Sequence, residues 1–335
     1  MAELSRPGAA RRPLSGEEVT GEPVATPSRR LDIVGRRNVF FAISLLIIVP
    51  GIISMLTRGF LLGIDFQGGT ELFLKFSQPA NQAQVEAVVA SENVNGTVQK
   101  GANGTYIVRT RALDPAQQKK IVDDLDSKVA PIDRSQIQAN QVGPSVAREI
   151  VTSALLAVLA AAILILLYLA FRFRRVRGGW RAGFQFGGSA LLALLHDVFL
   201  LTGIFSILGK VLNLRIGEID SLFLTAALTV VGFSVHDTIV VFDRIRENLV
   251  LSDRLGASRL TFEQVVNLSI LQTAARSIIT SFTVLLVLAA LLLFGGQTLQ
   301  GFVLALLIGI LSGTYSSIFN ASQLLVVWRK LQPVT

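Results

Sequence analysis

Six apolar runs, at 39–56, 150–171, 186–208, 219–242, 277–294 and 301–328, constrain this chain more than any other feature. Each comes close to or exceeds the roughly 20 residues a helix needs to cross the hydrocarbon of a bilayer. No water is available there, so each backbone N–H and C=O must be satisfied within the segment, and such runs must be helices. Of 335 residues, 51% are hydrophobic and 16% charged, a balance too apolar for a soluble chain. The expected fold class is a polytopic α-helical membrane protein with six transmembrane helices. Pro50 in the first run is a kink that a membrane helix tolerates, and the sixth run is long enough to tilt.

The stretch 58–149, between the first span (38–57) and the five that fill 150–330, is polar and forms one small domain. It opens with GIDFQGGT (63–70), where Gly63, Gly68 and Gly69, with Asp65, suit a tight turn on leaving the membrane. Residues 71–76 alternate as a strand does, with Leu72, Leu74 and Phe76 on one face. Val85, Val88 and Val89 give 81–91 helical spacing, and 97–100 with 105–110 predict a hairpin turning at Ala102-Asn103-Gly104. Asp114-Pro115 is an N-cap followed by proline at the first helical position, and that helix runs to about 129 with Ile121, Val122 and Leu125 on one side. A last strand occupies 135–142. The order β-α-β-β-α-β is that of an α+β ferredoxin-like domain. Ahead of the first run, 1–37 is rich in Pro, Gly, Ser, Glu and Arg and reads as a disordered basic tail without a signal-cleavage site. Residues 331–335 read as a short tail.

Short loops set the orientation. Arg172, Arg174, Arg175, Arg177 and Arg181 follow the second run, and Arg244, Arg246, Arg254, Arg259 and Arg276 separate the fourth from the fifth. Arg329 and Lys330 close the sixth, whereas the opposite loops hold Lys210 and Arg215 in one case and no basic residue between Gly295 and Gln300 in the other. The positive-inside rule then places both termini in the cytoplasm and 58–149 on the extracytoplasmic, periplasmic side of a cytoplasmic (inner) membrane. The same distribution accounts for the net charge of +8, so nucleic acid is not implied. With no cysteine, disulfides, Cys-ligated zinc and thiol catalysis are excluded.

An Asp at membrane depth costs about 2.5–3.5 kcal/mol even on insertion scales, and is a functional hypothesis by default. His196 and Asp197 lie in the middle of the third run. His236 and Asp237 lie in the inner half of the fourth, which ends in the charged residues Asp243, Arg244, Arg246 and Glu247. The fifth begins among Gln272, Thr273, Arg276, Thr280 and Ser281, with Gln272, Arg276 and Thr280 on one face. Arg276 can snorkel to the interface or turn inward to Asp237. Helix packing is the competing reading, weakest for Asp237. In the sixth run, Gly309, Gly313, Ser316, Ser317 and Asn320 read as small residues for close helix contact. Asp237 follows Phe233-Ser234-Val235-His236 rather than the Gly-x-Gly of intramembrane aspartyl proteases. Gly209-Lys210 is followed by Val211, so no ATP-binding P-loop exists, and the early glycines fit no dinucleotide fingerprint. The expectation is no enzyme, no cofactor and no metal. Ion flow through titratable groups remains as the energy source.

GIDFQGGT, VGPSVAREI (142–150), LLHD (194–197), VGFSVHDTIVVFDRIREN (231–248) and NLSILQTAARSIITS (267–281) together resemble the SecF subunits of bacterial protein export, within the SecD/SecF family and the resistance–nodulation–division superfamily. The resemblance runs from about Arg36 to the end of the sixth run. It implies an obligate complex with SecD and an association with the SecYEG channel, YajC and a YidC-type insertase. It also implies contact with unfolded exported polypeptide, and work driven by protons rather than ATP. An Asp of the fourth span and an Arg of the fifth matter for proton coupling in that family, and they match Asp237 and Arg276. This chain departs in having His236 where the family has Asn, and in a longer stretch from Asn248 to Asn267. Protonation of Asp237, relayed through His196 and Asp197, would then loosen an Asp237–Arg276 pair and shift the outer domain. Half of a proton-coupled exporter and a passive scaffold subunit are the alternatives.

Overall fold

The computed structural model describes residues 31–94, 96–101, 104–254 and 260–333. Most of the basic tail, the tip of the predicted hairpin at Ala102-Asn103 and the loop carrying Arg259 lie outside the described residues. Six helices are long and apolar enough to cross a membrane. The first is α1 (Arg37–Arg58), and α5 (Pro144–Phe173) is the second. The third is α6 (Gly179–Ser206), prolonged by a π-turn at Ile207–Val211, and the fourth and fifth are α7 (Ser221–Arg254) and α8 (Phe262–Phe294). The sixth runs as α9 (Gln300–Ser316), a π-turn at Ser317–Ala321, and α10 (Ser322–Leu331).

The helices outrun the apolar stretches because charged turns continue them. At 1.5 Å per residue, the 33 residues of α8 reach about 50 Å, well beyond a hydrocarbon core of about 30 Å. The charged DRIREN run lies within α7, which continues to Arg254, and α8 begins at a capping box in which Thr261 accepts from the Gln264 N–H and the Gln264 side chain accepts from the Thr261 N–H. One sequence boundary is corrected. The tail expected to run to residue 37 is already docked from Leu31: Val34 is buried, and Asn267 accepts from the N–H groups of Ile33 and Val34 while donating to the Leu31 carbonyl. An apolar Leu-Asp-Ile-Val stretch that finds a polar clamp gains more by packing than by remaining solvated.

Between α1 and α5 sits a short helix α2 (Ile64–Gln67), followed by β1 (Gly69–Lys75), α3 (Gln82–Ser91), β2 (Thr97–Lys100), β3 (Thr105–Thr110), α4 (Pro115–Lys128) and β4 (Gln138–Val142). The sheet is antiparallel throughout, in the order β2-β3-β1-β4. That is the ferredoxin-like arrangement expected from the element order. Leu72 and Leu74 of β1 face a core with Val85, Val89, Tyr106, Val108, Ile121 and Leu125. Asp114 caps α4 in a capping box with Gln117, and Pro115 opens the helix.

Within the helical body α6 is central, touching α1, α5, α7 and α9. Two apolar clusters fill this body. One joins Phe173, Phe186, Phe242, Ile245, Val266 and Ile318 at the end that carries the termini. The other joins Leu201, Phe205, Phe223, Val230, Val303 and Ile310 at the sheet-domain end. In sequence along α6, α7, α8 and the sixth span, the buried residues between these clusters include the polar Asp197, Ser234, Asp237, Ser277, Ser312 and Ser316.

Candidate functional site

That polar layer holds two carboxylates. Asp197 of α6 is 0% exposed and accepts hydrogen bonds from three hydroxyls on two other spans. Ser234 of α7 donates at 2.7 Å, Ser312 of α9 at 2.7 Å and Ser316 of α9 at 2.6 Å. His196 Nδ1 lies 3.0 Å from the same carboxylate and donates to it when Asp197 is ionised. Four donors fill the roughly four lone-pair positions a carboxylate offers. The His196 ring lies against Tyr315 with centroids 6.2 Å apart, and its buried Nε2 has no hydrogen-bond partner among the described residues. Tyr315 in turn donates to the Phe40 carbonyl of α1 at 2.8 Å.

Asp237 of α7 is 6% exposed. Ser277 of α8 donates to it at 2.6 Å and Ser317 of the sixth span at 2.8 Å. The expected ion pair with Arg276 is not formed here. Among the described residues Arg276 makes no salt bridge, and its side chain lies in an exposed cleft with Asp243, Arg244, Gln272 and Thr273. The cause is rotational: successive helix residues point about 100° apart, so with Ser277 aimed at Asp237 its neighbour Arg276 is aimed elsewhere. His236 likewise stands on an exposed face, away from the carboxylate beside it in sequence.

The small residues of the sixth span serve close helix contact, as their spacing predicts. A Cβ on Gly309 would meet the Val230 side chain at 2.2 Å, and one on Gly313 would meet Ser234 Cβ at 3.0 Å. The serines beside these glycines do something further, because they reach both carboxylates. Their hydroxyls carry no charge to draw attention in a sequence. The available signal was five small or polar residues crowded into one face of an otherwise apolar helix.

The remaining motif residues tie elements together. Asp243 pairs with Arg172 of α5 at 2.9 Å and lies 3.7 Å from Arg246. Arg244 donates to Gln272 of α8 at 2.6 Å, and Asn248 to Ser269 at 2.8 Å. At the other end, the Gly63 N–H donates to the Ile219 carbonyl and the Ile219 N–H to the Leu61 carbonyl, both at 2.8 Å. Asp65 accepts from the Ser221 N–H at 2.9 Å, capping the start of α7. Gly68 and Gly69 have φ of 72° and 141°, and a Cβ on Gly69 would strike the Thr110 carbonyl at 2.5 Å. Only glycine fits that turn. Beside it, Arg109 of β3 bridges Glu71 of β1 and Glu218 of the loop before α7, and Arg215 reaches Glu71 at 3.3 Å. The sheet domain is thereby fastened to the start of the helix that carries Asp237. Among the described residues no cluster of His, Asp and Glu has metal-binding geometry.

The C-terminal family model of the protein export membrane proteins SecD/SecF matches residues 121–331, and the SecD/SecF GG motif matches residues 53–80. The protein translocase subunit SecF of Thermobaculum terrenum is 46% identical over 313 residues, covering 89% of this chain and 94% of that one. The protein translocase subunit SecF of Anaerolinea thermophila is 40% identical over 302 residues, with 89% and 94% covered. Among solved structures, SecDF of Thermus thermophilus, a translocon-associated membrane protein, superposes with a TM-score of 0.76 at 32% identity over 90% of this chain. SecDF in its super-membrane-facing form gives 0.62 at 30% identity over 91%. This chain spans 39% of the SecDF chain in either case.

Proposed function

The chain belongs to the SecF family of protein translocase subunits, and from that premise we propose that it promotes polypeptide export through the SecYEG channel by coupling proton flow to movement of its outer domain. It is a multi-pass membrane protein that serves the Sec translocase in partnership with SecD. In our reading both termini are cytoplasmic, the membrane is the cytoplasmic (inner) one, and YajC, a YidC-type insertase and the emerging unfolded chain are further partners. Asp237 is the proton carrier. Asp197 with His196 lies on the route from the outer side, His236 flanks the carrier, and Arg276 is the counter-charge that Asp237 meets in a second arrangement of the spans.

The observation that carries this reading is a nearly buried carboxylate held only by hydroxyls. No cation fixes Asp237 among the described residues, and a carboxylate without a charged partner at membrane depth is a functional candidate by default. Asp65, capping α7, and the Arg109–Glu218 contact give any shift of that helix a direct path to the sheet domain. One of the two solved structures is described as a super-membrane-facing form, which accords with a family fold that has more than one arrangement. Ligand-dependent preference between such arrangements is all that a population switch requires.

Proton-gradient-dependent export in membrane vesicles tests the proposal. Asp237→Asn should assemble and support ATP-driven export but lose the stimulation by the gradient. Arg276→Met should behave likewise, with Arg276→Lys keeping part, since a point charge lacks the guanidinium fork. Full stimulation in Asp237→Asn would leave the scaffold reading in place. One observation favours that second reading for Asp197: four donors saturate it, as a fixed structural anion would require.

A further inference from the structure

Ser316 and Ser317 are consecutive, yet they touch carboxylates on different spans: Ser316 donates to Asp197 Oδ2 at 2.6 Å and Ser317 to Asp237 Oδ2 at 2.8 Å. The π-turn of the sixth span begins at Ser317. Insertions of this kind locally re-aim side chains and recur at functional positions. Both hydroxyls are fully buried.

Each of these two serines has a second acceptor within reach. The Gly313 carbonyl lies 3.2 Å from Ser316 Oγ, and the Thr314 carbonyl 3.1 Å from Ser317 Oγ. The other donors differ. Among the described residues Ser234, Ser277 and Ser312 hydroxyls have the carboxylate as their single hydrogen-bond partner. A hydroxyl carries one proton and two lone pairs, so it can donate in one direction while accepting from another. An ionised carboxylate only accepts; once protonated it must also donate, and a buried donor without an acceptor is costly.

We propose that Ser316 and Ser317 are positioning residues that let the sixth span follow the protonation of Asp197 and Asp237. While a carboxylate is charged, its serine donates to it. When the carboxyl takes a proton, the serine turns its own O–H to the carbonyl three residues back and accepts the new carboxyl O–H. The serine neither gains nor loses a proton, and the only net change is the proton on the aspartate. A charge-assisted tie between the sixth span and its neighbours is thus exchanged for ordinary ones, without orphaning any buried group. His196 is the one titratable side chain that touches either carboxylate among the described residues; Arg276 and His236 stand on exposed faces, and Tyr315 lies behind His196.

The inference rests on the proton-coupling reading, and its test separates the two. The chain has no cysteine, so with a cysteine-free partner, spin labels on Leu251→Cys and Gln332→Cys report on the ends of the fourth and sixth spans alone. Pulsed electron-spin distances in the complex with SecD, reconstituted in vesicles, should shift between two populations as pH is lowered. Ser316→Ala and Ser317→Ala should lose this shift and, combined, lose stimulation by the proton gradient. Ser317→Thr, which keeps a hydroxyl able to bond a carbonyl of the preceding turn, should restore the shift. If the alanine variants follow pH as the parent does while Asp237→Asn abolishes stimulation, the serine inference falls and the coupling role stands. If Asp237→Asn keeps stimulation, the coupling role itself falls. Should an alanine variant fail to assemble, the parent still decides: a sixth span that keeps one distance across the titration overturns the inference.

Discussion

Replacing Arg109 by Met should unfasten the sheet domain from the helical body while leaving the domain folded. The Arg109 side chain is 11% exposed, and its partners Glu71 and Glu218 are 9% and 11% exposed. Removing one member of a buried ion pair costs about 3–5 kcal/mol, because the remaining charge is stranded. Here two carboxylates would be stranded side by side. Arg215 remains 3.3 Å from Glu71 and is itself 38% exposed, so the lower figure, about 3 kcal/mol, applies. In a fragment of residues 66–142 neither Glu218 nor Arg215 is present. Arg109 and Glu71 then form a surface cross-strand pair in register, worth about 0.2–1 kcal/mol. Amide hydrogen exchange reads the seam directly through the Gly63 and Ile219 N–H groups that close it. Arg109→Met in the full chain should speed their exchange on the order of a hundredfold, since about 1.4 kcal/mol is a factor of ten. Adding Glu218→Gln should recover part of the protection by removing one stranded charge. Unchanged exchange at Gly63 and Ile219, or an equal loss of stability in the fragment and the full chain, would refute the reasoning.

Single cysteines at Ser77 and Thr298 should react with a membrane-impermeant reagent from outside intact cells, and one at Gln332 should not; the reverse pattern would overturn the orientation. The fragment 66–142 should show mixed helix and sheet by circular dichroism, and a purely helical spectrum would refute the ferredoxin-like domain. The same fragment should lose stability in acid: the Ile132 N–H and Arg134 hold the Asp126 carboxyl below its ordinary value, and the Ser135 hydroxyl and N–H do so for Asp133. Groups lowered on folding stabilise above their unfolded pKa and lose that contribution as pH falls through the folded one, so urea midpoints should hold from neutral pH and drop below about pH 4. Expressed without SecD, the chain should self-associate or degrade, because His236 and Arg276 face outward from its own body; a stable monomer by size exclusion in detergent would count against an obligate partner.

The spans and the sheet were legible because each rests on a periodic apolar signal. Leu72, Leu74 and Phe76 alternate and are buried, and the core faces of α3 and α4 follow from spacing alone. Helix ends were less legible, since the charged residues after Phe242 are as compatible with helix as with loop. The Thr261–Gln264 capping box was the sequence signal that could have placed the start of α8. The docking of Ile33 and Val34 was hidden in a basic stretch, because its partner Asn267 is more than 200 residues away. At the site, depth in the membrane could be estimated from position along a helix, and it brought Asp237 and Arg276 to compatible levels. Rotation about the helix axis could not be read with the same certainty, and it gives the contact to Ser277 instead.

The position of the polar layer between two apolar clusters explains why such contacts matter more than their number. Apolar contacts do not depend on ionisation, so the phenylalanine-rich clusters on either side are indifferent to the charge on a carboxylate. Hydrogen bonds to Asp197 and Asp237 are directional and depend on ionisation. A helical body clamped at both ends by contacts indifferent to charge is joined in the middle by contacts that depend on it, all in one plane. The plane crosses α6, α7, α8 and the sixth span. Of these, α7 is also fastened to the sheet domain by Asp65 and the Ile219 backbone. On the proposed coupling, protonation in the plane has its shortest route outward along the fourth span, which is where the Arg109 variant should interrupt it.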